Sequence, residues 1–168
     1  MQPVAQLMAF LTDHTTKQAY LGKAAHDLVR LTSDQVADIY DRRQIIIPVE
    51  LSSTLHSLSL KSGSSLTEIA STLGLPHQLV AQRVRKLISL GLLERRPDAT
   101  DGRRFELHLT DYGHDQADRL RVCMRDMSRV YEGLYEEIGC DLPAILGAAM
   151  KAIRDHSLVD RFESRGLL

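Results

Sequence analysis

The spacing of hydrophobic residues along the chain predicts a protein built mainly from helices. In several segments, apolar residues recur every three or four positions, which is typical of a helix with one buried face. These segments are 4–31, 32–40, 48–63, 66–73, 77–90, 110–138 and 141–158. Residues 12–16 contain no apolar residue, and in one interpretation they divide the first segment into two helices. The β-branched run Ile45–Ile47 predicts an extended link.

The middle of the chain has the pattern of a helix-turn-helix. Ser65 and Glu68 form a capping-box signature before an apolar run, and Gly74 ends the short helix that follows. A second helix is predicted from His77 to about Leu90, with a glycine after it. On this spacing alone, an ordinary helical hairpin fits equally well.

A β-hairpin is predicted directly after the second helix. Residues 92–96 resemble a strand, and 97–102 form a polar turn. Phe105, Leu107 and Leu109 then alternate with polar residues, which is the period of a half-buried strand. A helix-turn-helix with such a hairpin is a winged helix. The predicted fold class is therefore mainly α with a small β-hairpin.

Composition and charge indicate a globular protein with a locally basic segment. The 168 residues are 43% hydrophobic and 26% charged, which is typical of a globular protein. The net charge is −1, yet residues 77–104 hold seven basic and three acidic residues, so that segment is +4 and the remainder −5. A basic centre between acidic flanks indicates a local anion-binding surface, although a solvated charged face gives the same count.

Other function classes find little support in the sequence. No apolar run approaches the ~18 residues of a membrane span, and the N-terminus lacks the features of a signal peptide, so we expect no membrane partner and a cytoplasmic location. The seven His are scattered without metal-ligand spacing, and no nucleophile or phosphate-loop motif is present. We therefore predict no metal, no cofactor and no enzyme activity. Cys123 lies on an apolar helix face, whereas Cys140, at a helix boundary, is the more exposed thiol.

Residues 65–113 resemble the MarR family of bacterial and archaeal regulators. Within this segment, residues 66–113 read LTEIASTLGLPHQLVAQRVRKLISLGLLERRPDATDGRRFELHLTDYG. Its matching motifs, in order, are Leu66/Ile69/Ala70, Leu73-Gly74-Leu75, Leu87/Gly91/Leu92/Leu93/Arg95, Asp101/Arg103 and Leu109/Thr110/Gly113. Outside these motifs the similarity lies only in the layout and length of the helices.

The resemblance implies an architecture and a function. One MarR-like domain would cover 1–168, with an N-terminal dimerisation helix and link at 1–47, a winged helix-turn-helix at 48–112 and C-terminal dimerisation helices at 113–168. The implied function is a homodimeric transcriptional repressor that binds an imperfect inverted repeat in double-stranded DNA and is released by a small ligand. Two alternatives are an oxidant-sensing repressor acting through Cys123 or Cys140, and a winged-helix protein-interaction module that binds no DNA.

The second helix of the helix-turn-helix, from His77 to about Leu90, is the predicted recognition helix, and it offers side chains suited to reading DNA. Its apolar face contains Val80, Val84, Leu87 and Ile88, and polar residues lie opposite. Glutamine pairs with adenine and arginine with guanine in the major groove, while a leucine contacts thymine methyl groups. The candidate DNA-contacting residues of this helix are His77, Gln78, Leu79, Gln82, Arg83, Arg85 and Lys86. Gln82 replaces an arginine common in the family, and Arg83 an apolar residue.

The wing and a ligand cleft complete the predicted sites. Arg103 at the hairpin tip suits a narrow minor groove, and Asp101 would hold it extended. Arg95, Arg96 and Arg104 are the other basic residues of the wing. Family members often bind small phenolic or lipophilic anions between the dimerisation helices and the winged helix. By that resemblance, His26, Arg30 and His56 are candidate cleft residues, although ordinary contacts between helices also explain them.

Overall fold

A computed structural model describes residues 19–97 and 105–168, and the chain divides into two compact units, 1–121 and 122–168. The elements of the first unit, in order, are α1 (Leu21–Arg42), a 3-10 turn (Val49–Leu51), α2 (Ser52–Leu60), α3 (Leu66–Leu73), α4 (His77–Ser89), β1 (Leu93–Pro97), β2 (Phe105–Leu109) and the start of α5 (Asp111–Ile138). The second unit holds the rest of α5, α6 (Leu142–Asp155) and α7 (Leu158–Glu163). The predicted helical, winged architecture is confirmed.

The first helix and the link behave as the sequence predicts over the described residues. α1 continues without interruption through the segment 32–40, whereas the weak stretch 12–16 lies outside the described residues. Ile45 and Ile47 are buried and Ile46 is exposed, the alternation of an extended chain. Pro48 then precedes the 3-10 turn, which leads directly into α2.

The three helices α2, α3 and α4 pack around one apolar core. Its most deeply buried side chains are Leu55, Leu58, Ile69, Val80, Val84 and Leu87. The capping box at the start of α3 is confirmed: Ser65 Oγ accepts the Glu68 N–H, and the Glu68 carboxylate accepts the Ser65 N–H at 2.8 Å. Gly74 ends α3 with φ of 60°, a left-handed conformation that favours glycine.

The Glu68 carboxylate also makes an ion pair with Lys61, and we expect it to make stability depend on acid pH. The hydrogen bond from Lys61, followed by the hydrogen bonds from Ser65, lowers the pKa of Glu68 from 4.5 to about 2. Since the folded-state pKa is lowered, this contribution to stability is complete above pH 4.5 and disappears as pH falls towards 2.

The matching experiment compares Glu68→Gln with the unmodified protein by urea denaturation from pH 7 to pH 2. The variant should be less stable at neutral pH, and the difference should shrink below pH 4.5. Glu163→Gln, which makes the same chemical change in α7, is the control. An equal difference at every pH would contradict the role given to the ionised carboxylate.

The wing is a two-stranded antiparallel sheet. Leu93 pairs with Leu109, and Arg95 with Leu107, in the register of the two strands. Leu107 and Leu109 are buried, but Phe105 is 56% exposed, at the end of β2 next to the turn, where it pairs with Pro97. The predicted inward face is therefore one residue shorter than the alternation indicated. A bridge from Ser64 to Leu107 joins the turn before α3 to β2.

The start of α5 is fixed tightly against the end of α4. Thr110 Oγ1 donates to the Gly91 carbonyl at 2.6 Å and accepts the Gly113 N–H at 2.9 Å. The Thr110 N–H also donates to the Leu92 carbonyl. A Cβ on Gly113 would lie 2.0 Å from that same carbonyl oxygen. The Leu-Thr-x-x-Gly motif therefore serves to bring a helix start against the peptide of Leu92.

The second unit is helical and largely exposed. Gly139, with φ of 67°, follows α5, and Asp141 caps α6 by accepting the Ala144 N–H. The sequence predicted one apolar face extending to Leu158, but α6 ends at Asp155. A second capping box, between Ser157 and Asp160, starts α7 there. Among the described residues, no helix is both long enough and apolar enough to cross a membrane.

Candidate nucleic-acid interface

Helix α4 presents a continuous polar face. Its buried side is formed by Val80, Val84 and Leu87, with Ile88 partly exposed beside them, as predicted. Leu79, Ala81 and Arg83 lie at the borders and are partly exposed. The fully exposed candidates are His77, Gln78, Gln82, Arg85 and Lys86. The polar face therefore contains five of the seven predicted recognition-helix residues.

Two of the recognition-helix candidates contact neighbouring helices. Arg83 Nη1 donates to Ser53 Oγ of α2 at 3.3 Å. His77 Nε2 lies 3.5 Å from Thr67 Oγ1 of α3. These bonds direct Arg83 toward α2 and attach the first residue of α4 to α3. Of the predicted recognition-helix residues, Gln78, Gln82, Arg85 and Lys86 are exposed and make no such contact with a neighbouring helix in the described part of the chain.

The described part of the wing contributes one exposed cation outside an ion pair with a neighbouring acid. Arg96 Nε donates to Glu94 Oε1 at 2.8 Å, so its charge is balanced within β1. Arg95 points to the opposite face of the strand and is exposed. The predicted wing residues Asp101, Arg103 and Arg104 lie outside the described residues.

A shallow groove of about 510 Å³ joins α4 to the wing. Ile88 and Leu93 line it, and Arg85 and Arg95 approach it from α4 and β1. The Glu94 side chain also borders the groove. The basic residues of the helix and of the hairpin therefore belong to one surface, because β1 begins only four residues after α4 ends.

The three residues of the predicted ligand cleft are all exposed. His26 and Arg30 lie on α1, on either side of Asp27, and His56 lies on α2. The hydrogen bond from Lys23, with smaller effects of Arg30 and His26, lowers the pKa of Asp27. Within the described ranges, no hydrogen bond connects His56 to the two α1 residues, so the cleft stays a prediction.

A buried polar cluster, which the sequence did not predict, lies where the link meets α5. The Gln116 side chain, 2% exposed, accepts the Ile46 N–H at 2.9 Å and donates to the Gln44 carbonyl at 3.2 Å. Arg119 Nη1 donates to Gln44 Oε1 at 3.0 Å. One signal was available: Gln116 stands four residues before Leu120 and seven before Cys123, so it is a polar residue on the apolar face of α5.

The two thiols differ in exposure, as the sequence indicated. Cys123 is buried, and Cys140 is partly exposed after the end of α5. In residues 19–97 and 105–168, no three His, Cys, Asp or Glu side chains lie together in a way that would hold a metal ion.

Together, the three-helix core, the hairpin and the exposed polar face of α4 define a winged helix-turn-helix protein. The model of the MarR family matches residues 52–104, which include α2, α3, α4 and β1. A relative from Mycobacterium tuberculosis (strain CDC 1551 / Oshkosh), described as an uncharacterized HTH-type transcriptional regulator, MT3179, is 36% identical over 58 residues. That match covers 34% of this chain and 37% of the relative, so it spans little more than a third of that protein.

Solved structures of MarR-type regulators share the fold over most of the chain. The MarR family transcription regulator SP03579 is 20% identical, with a TM-score of 0.62 over 88% of this chain and 96% of its own. The repressor CouR, bound to a 23-mer DNA duplex, is 24% identical, with a TM-score of 0.61 and coverages of 80% and 93%.

A third structure is the PcaV regulator from Streptomyces coelicolor in complex with its natural ligand. It is 23% identical, with a TM-score of 0.60, and the match covers 82% of this chain and 94% of that one. The predicted resemblance to the MarR family is confirmed by the match of residues 52–104 to the family model and by the shared fold. The relatives named here are all described as regulators or repressors of transcription.

Proposed function

We propose that this protein is a homodimeric, sequence-specific DNA-binding repressor that a small ligand releases from its operator. The main support is the surface on which the polar face of α4 continues through Arg85 and Arg95 into the wing. CouR, which shares the fold, is a repressor bound to a DNA duplex. Binding to chromosomal DNA would place the protein in the cytoplasm of a bacterial or archaeal cell.

In this proposal, α4 enters the major groove and reads bases with its N-terminal half. Gln78 and Gln82 are the base-reading residues, with Leu79 beside a thymine methyl group. Arg85, Lys86 and Arg95 meet phosphates on either side of the groove. Arg103 reaches the adjacent minor groove while Asp101 holds its side chain extended, and Arg104 meets a phosphate. Arg83, Arg96 and His77 have smaller roles because protein contacts already engage their side chains.

The dimer is proposed because the second unit leaves so much apolar surface exposed. None of the residues of α6 and α7 is buried. Their exposed apolar side chains are Ile145, Leu146, Met150, Ile153, Leu158, Val159 and Phe162. A surface of this kind on one chain is typical of an interface, and a two-fold dimer would cover it. Sedimentation equilibrium should show two chains per particle.

The ligand is proposed to be a small phenolic or lipophilic anion held near His26, Arg30 and His56. PcaV, which shares the fold, was solved with its natural ligand. Cationic and imidazole side chains on α1 and α2 suit a carboxylate or phenolate. An added aromatic acid that releases DNA from the unmodified protein but not from Arg30→Ala would support this part of the proposal.

Gln82→Ala tests base reading directly. We expect the variant to lose discrimination at one position in each half-site, at a cost of about 1–3 kcal/mol there, because a bidentate amide contact to adenine is removed. Binding to fragments selected from genomic DNA, followed by titration against every single-base change, measures this loss. Unchanged discrimination at all positions would contradict base reading by Gln82.

Arg103→Ala is the contrasting variant for the same titrations. A wing arginine responds to groove shape and charge, so its removal should weaken binding to all of these sequences by a similar factor. If no genomic fragment is retained by the unmodified protein, the protein-interaction alternative is favoured instead.

A further inference from the structure

The link between α1 and the winged helix is held in an unusual backbone conformation. Gln44 has φ of 55°, the only positive φ outside glycine among the described residues. Residues other than glycine, asparagine and aspartate rarely adopt this left-handed backbone conformation. The surroundings of Gln44 must therefore favour that conformation over the ordinary alternatives.

Three hydrogen bonds from α5 provide this support. Gln116 uses both ends of its buried amide, accepting from Ile46 N–H and donating to the Gln44 carbonyl. Arg119, one turn further along, donates to Gln44 Oε1. Arg119 is itself oriented by Asp115 at 2.8 Å. We call the two bonds of Gln116 and the bond from Arg119 to Gln44 the link clamp.

The link clamp joins the two covalent connections of the winged helix to each other. Residues 43–48 enter the winged helix from α1, and the first turns of α5 leave it after β2. Ile45 and Ile47 are buried on either side of Ile46, and the Tyr40 hydroxyl lies 2.8 Å from Ser52 Oγ across the same junction. The link clamp thus hydrogen-bonds the entering segment to the leaving one.

We infer that Gln116 is a specificity-determining positioning residue, which sets the operator spacing that the dimer accepts by fixing the link to α5. This inference rests on the proposed DNA-binding dimer. If the chain ends form that dimer, the two recognition helices keep a fixed separation only while each winged helix cannot pivot on its connections. Each added base pair turns one half-site about 35° around the duplex, because one turn holds ~10 bp. With a rigid junction, the two winged helices cannot follow that rotation, so binding weakens. With a loosened junction they can follow it, and binding is largely kept.

The test compares Gln116→Leu with the unmodified protein on the selected operator and on versions with one base pair inserted or removed between half-sites. The unmodified protein should bind the altered spacings ~10-fold or more weakly, whereas the variant should lose ~3-fold or less. Hydrogen exchange gives the second measurement: the Ile46 amide, which donates to Gln116, should exchange at least ~10-fold faster in the variant.

Two further variants separate positioning from general loss of stability. Ile69→Val makes a small cavity in the core of the same unit without touching the link clamp, and it should keep the spacing preference. Arg119→Ala removes the outer bond of the link clamp, together with the ion pair to Asp115, from a partly exposed side chain, so it should fold even if Gln116→Leu does not. We expect it to relax the spacing preference less than Gln116→Leu, in the same direction.

The outcomes distinguish this inference from the proposed function. If the unmodified protein binds no operator or has no spacing preference, the proposed function fails. If it has that preference and Gln116→Leu and Arg119→Ala keep it unchanged, the inference is overturned while the proposed function stands. An Ile46 amide that exchanges equally fast with and without Gln116 would also overturn the inference, because the bond would not restrain the link.

Discussion

Gly113→Ala should destabilise the protein by about 3 kcal/mol or more, a larger effect than overpacking usually has. The added Cβ would stand 2.0 Å from the Leu92 carbonyl oxygen and 3.3 Å from Leu109 Cδ2. That oxygen cannot retreat freely, because it accepts the Thr110 N–H and belongs to the buried residue between α4 and β1. Relief of the clash would separate the start of α5 from the winged helix.

Gly133→Ala, in the same helix, is the matched control. A Cβ at Gly133 meets no heavy atom within 4 Å, and alanine is the better helix former. This control should therefore be neutral, or more stable by up to ~1 kcal/mol. Urea denaturation followed by circular dichroism measures both variants. A Gly113→Ala protein as stable as the control would show that α5 does not approach Leu92 as closely as described.

Gly113 shows which features the sequence predicts well and which features it does not predict. The Leu-Thr-x-x-Gly motif indicated a helix start after the wing, and that start is confirmed. The Ser65 capping box and the Gly74 stop were equally legible, because each depends on residues only a few positions apart. The second capping box, at Ser157, was not predicted. The motif did not reveal the contact with Leu92, since that contact joins residues 21 positions apart and depends on how two elements pack.

The contacts of individual cations in the recognition helix and the wing are harder to predict than the faces of the helix. Its apolar and polar faces follow from helical geometry, and the burial of Val80, Val84 and Leu87 agrees with them. The sequence grouped Arg83 and Arg96 with the other cations. Only the packed structure shows Arg83 bonded to Ser53 on another helix and Arg96 paired with Glu94. The number of available cations therefore depends on tertiary contacts, which periodicity does not encode.

The link clamp was the least predictable feature. Gln116 stands on an apolar face, which indicates burial, but its partners are the backbone groups of residues some 70 positions away. A buried amide has to find hydrogen-bond partners, and nothing in the sequence names them. The positive φ of Gln44 is equally hidden, because the residue is not one of those that usually adopt it.

Inserting five base pairs between the half-sites of the operator should reduce dimer affinity to its non-specific level. Two recognition helices related by a two-fold axis enter successive major grooves on one face when they are about 34 Å apart, so we expect an imperfect inverted repeat with half-site centres ~10 bp apart. Five base pairs place the half-sites on opposite faces of the duplex. The expected loss is ~10³-fold or more, the usual gap between specific and non-specific binding.

The salt dependence of binding to the intact operator should identify how many cations meet phosphates. Arg85, Lys86 and Arg95 are exposed, and Arg103 and Arg104 are the two further candidates at the wing tip. Three to five contacts per chain give a dimer that neutralises roughly six to ten phosphates, so log affinity should fall against log salt with a slope of about −5 to −9. Arg95→Ala should reduce the steepness by about 2 per dimer, whereas Arg96→Ala, whose charge Glu94 already balances, should change it little. A flat salt response, or equal binding to the operator and to its five-base-pair insertion, would mean that the two winged helices do not bind successive grooves.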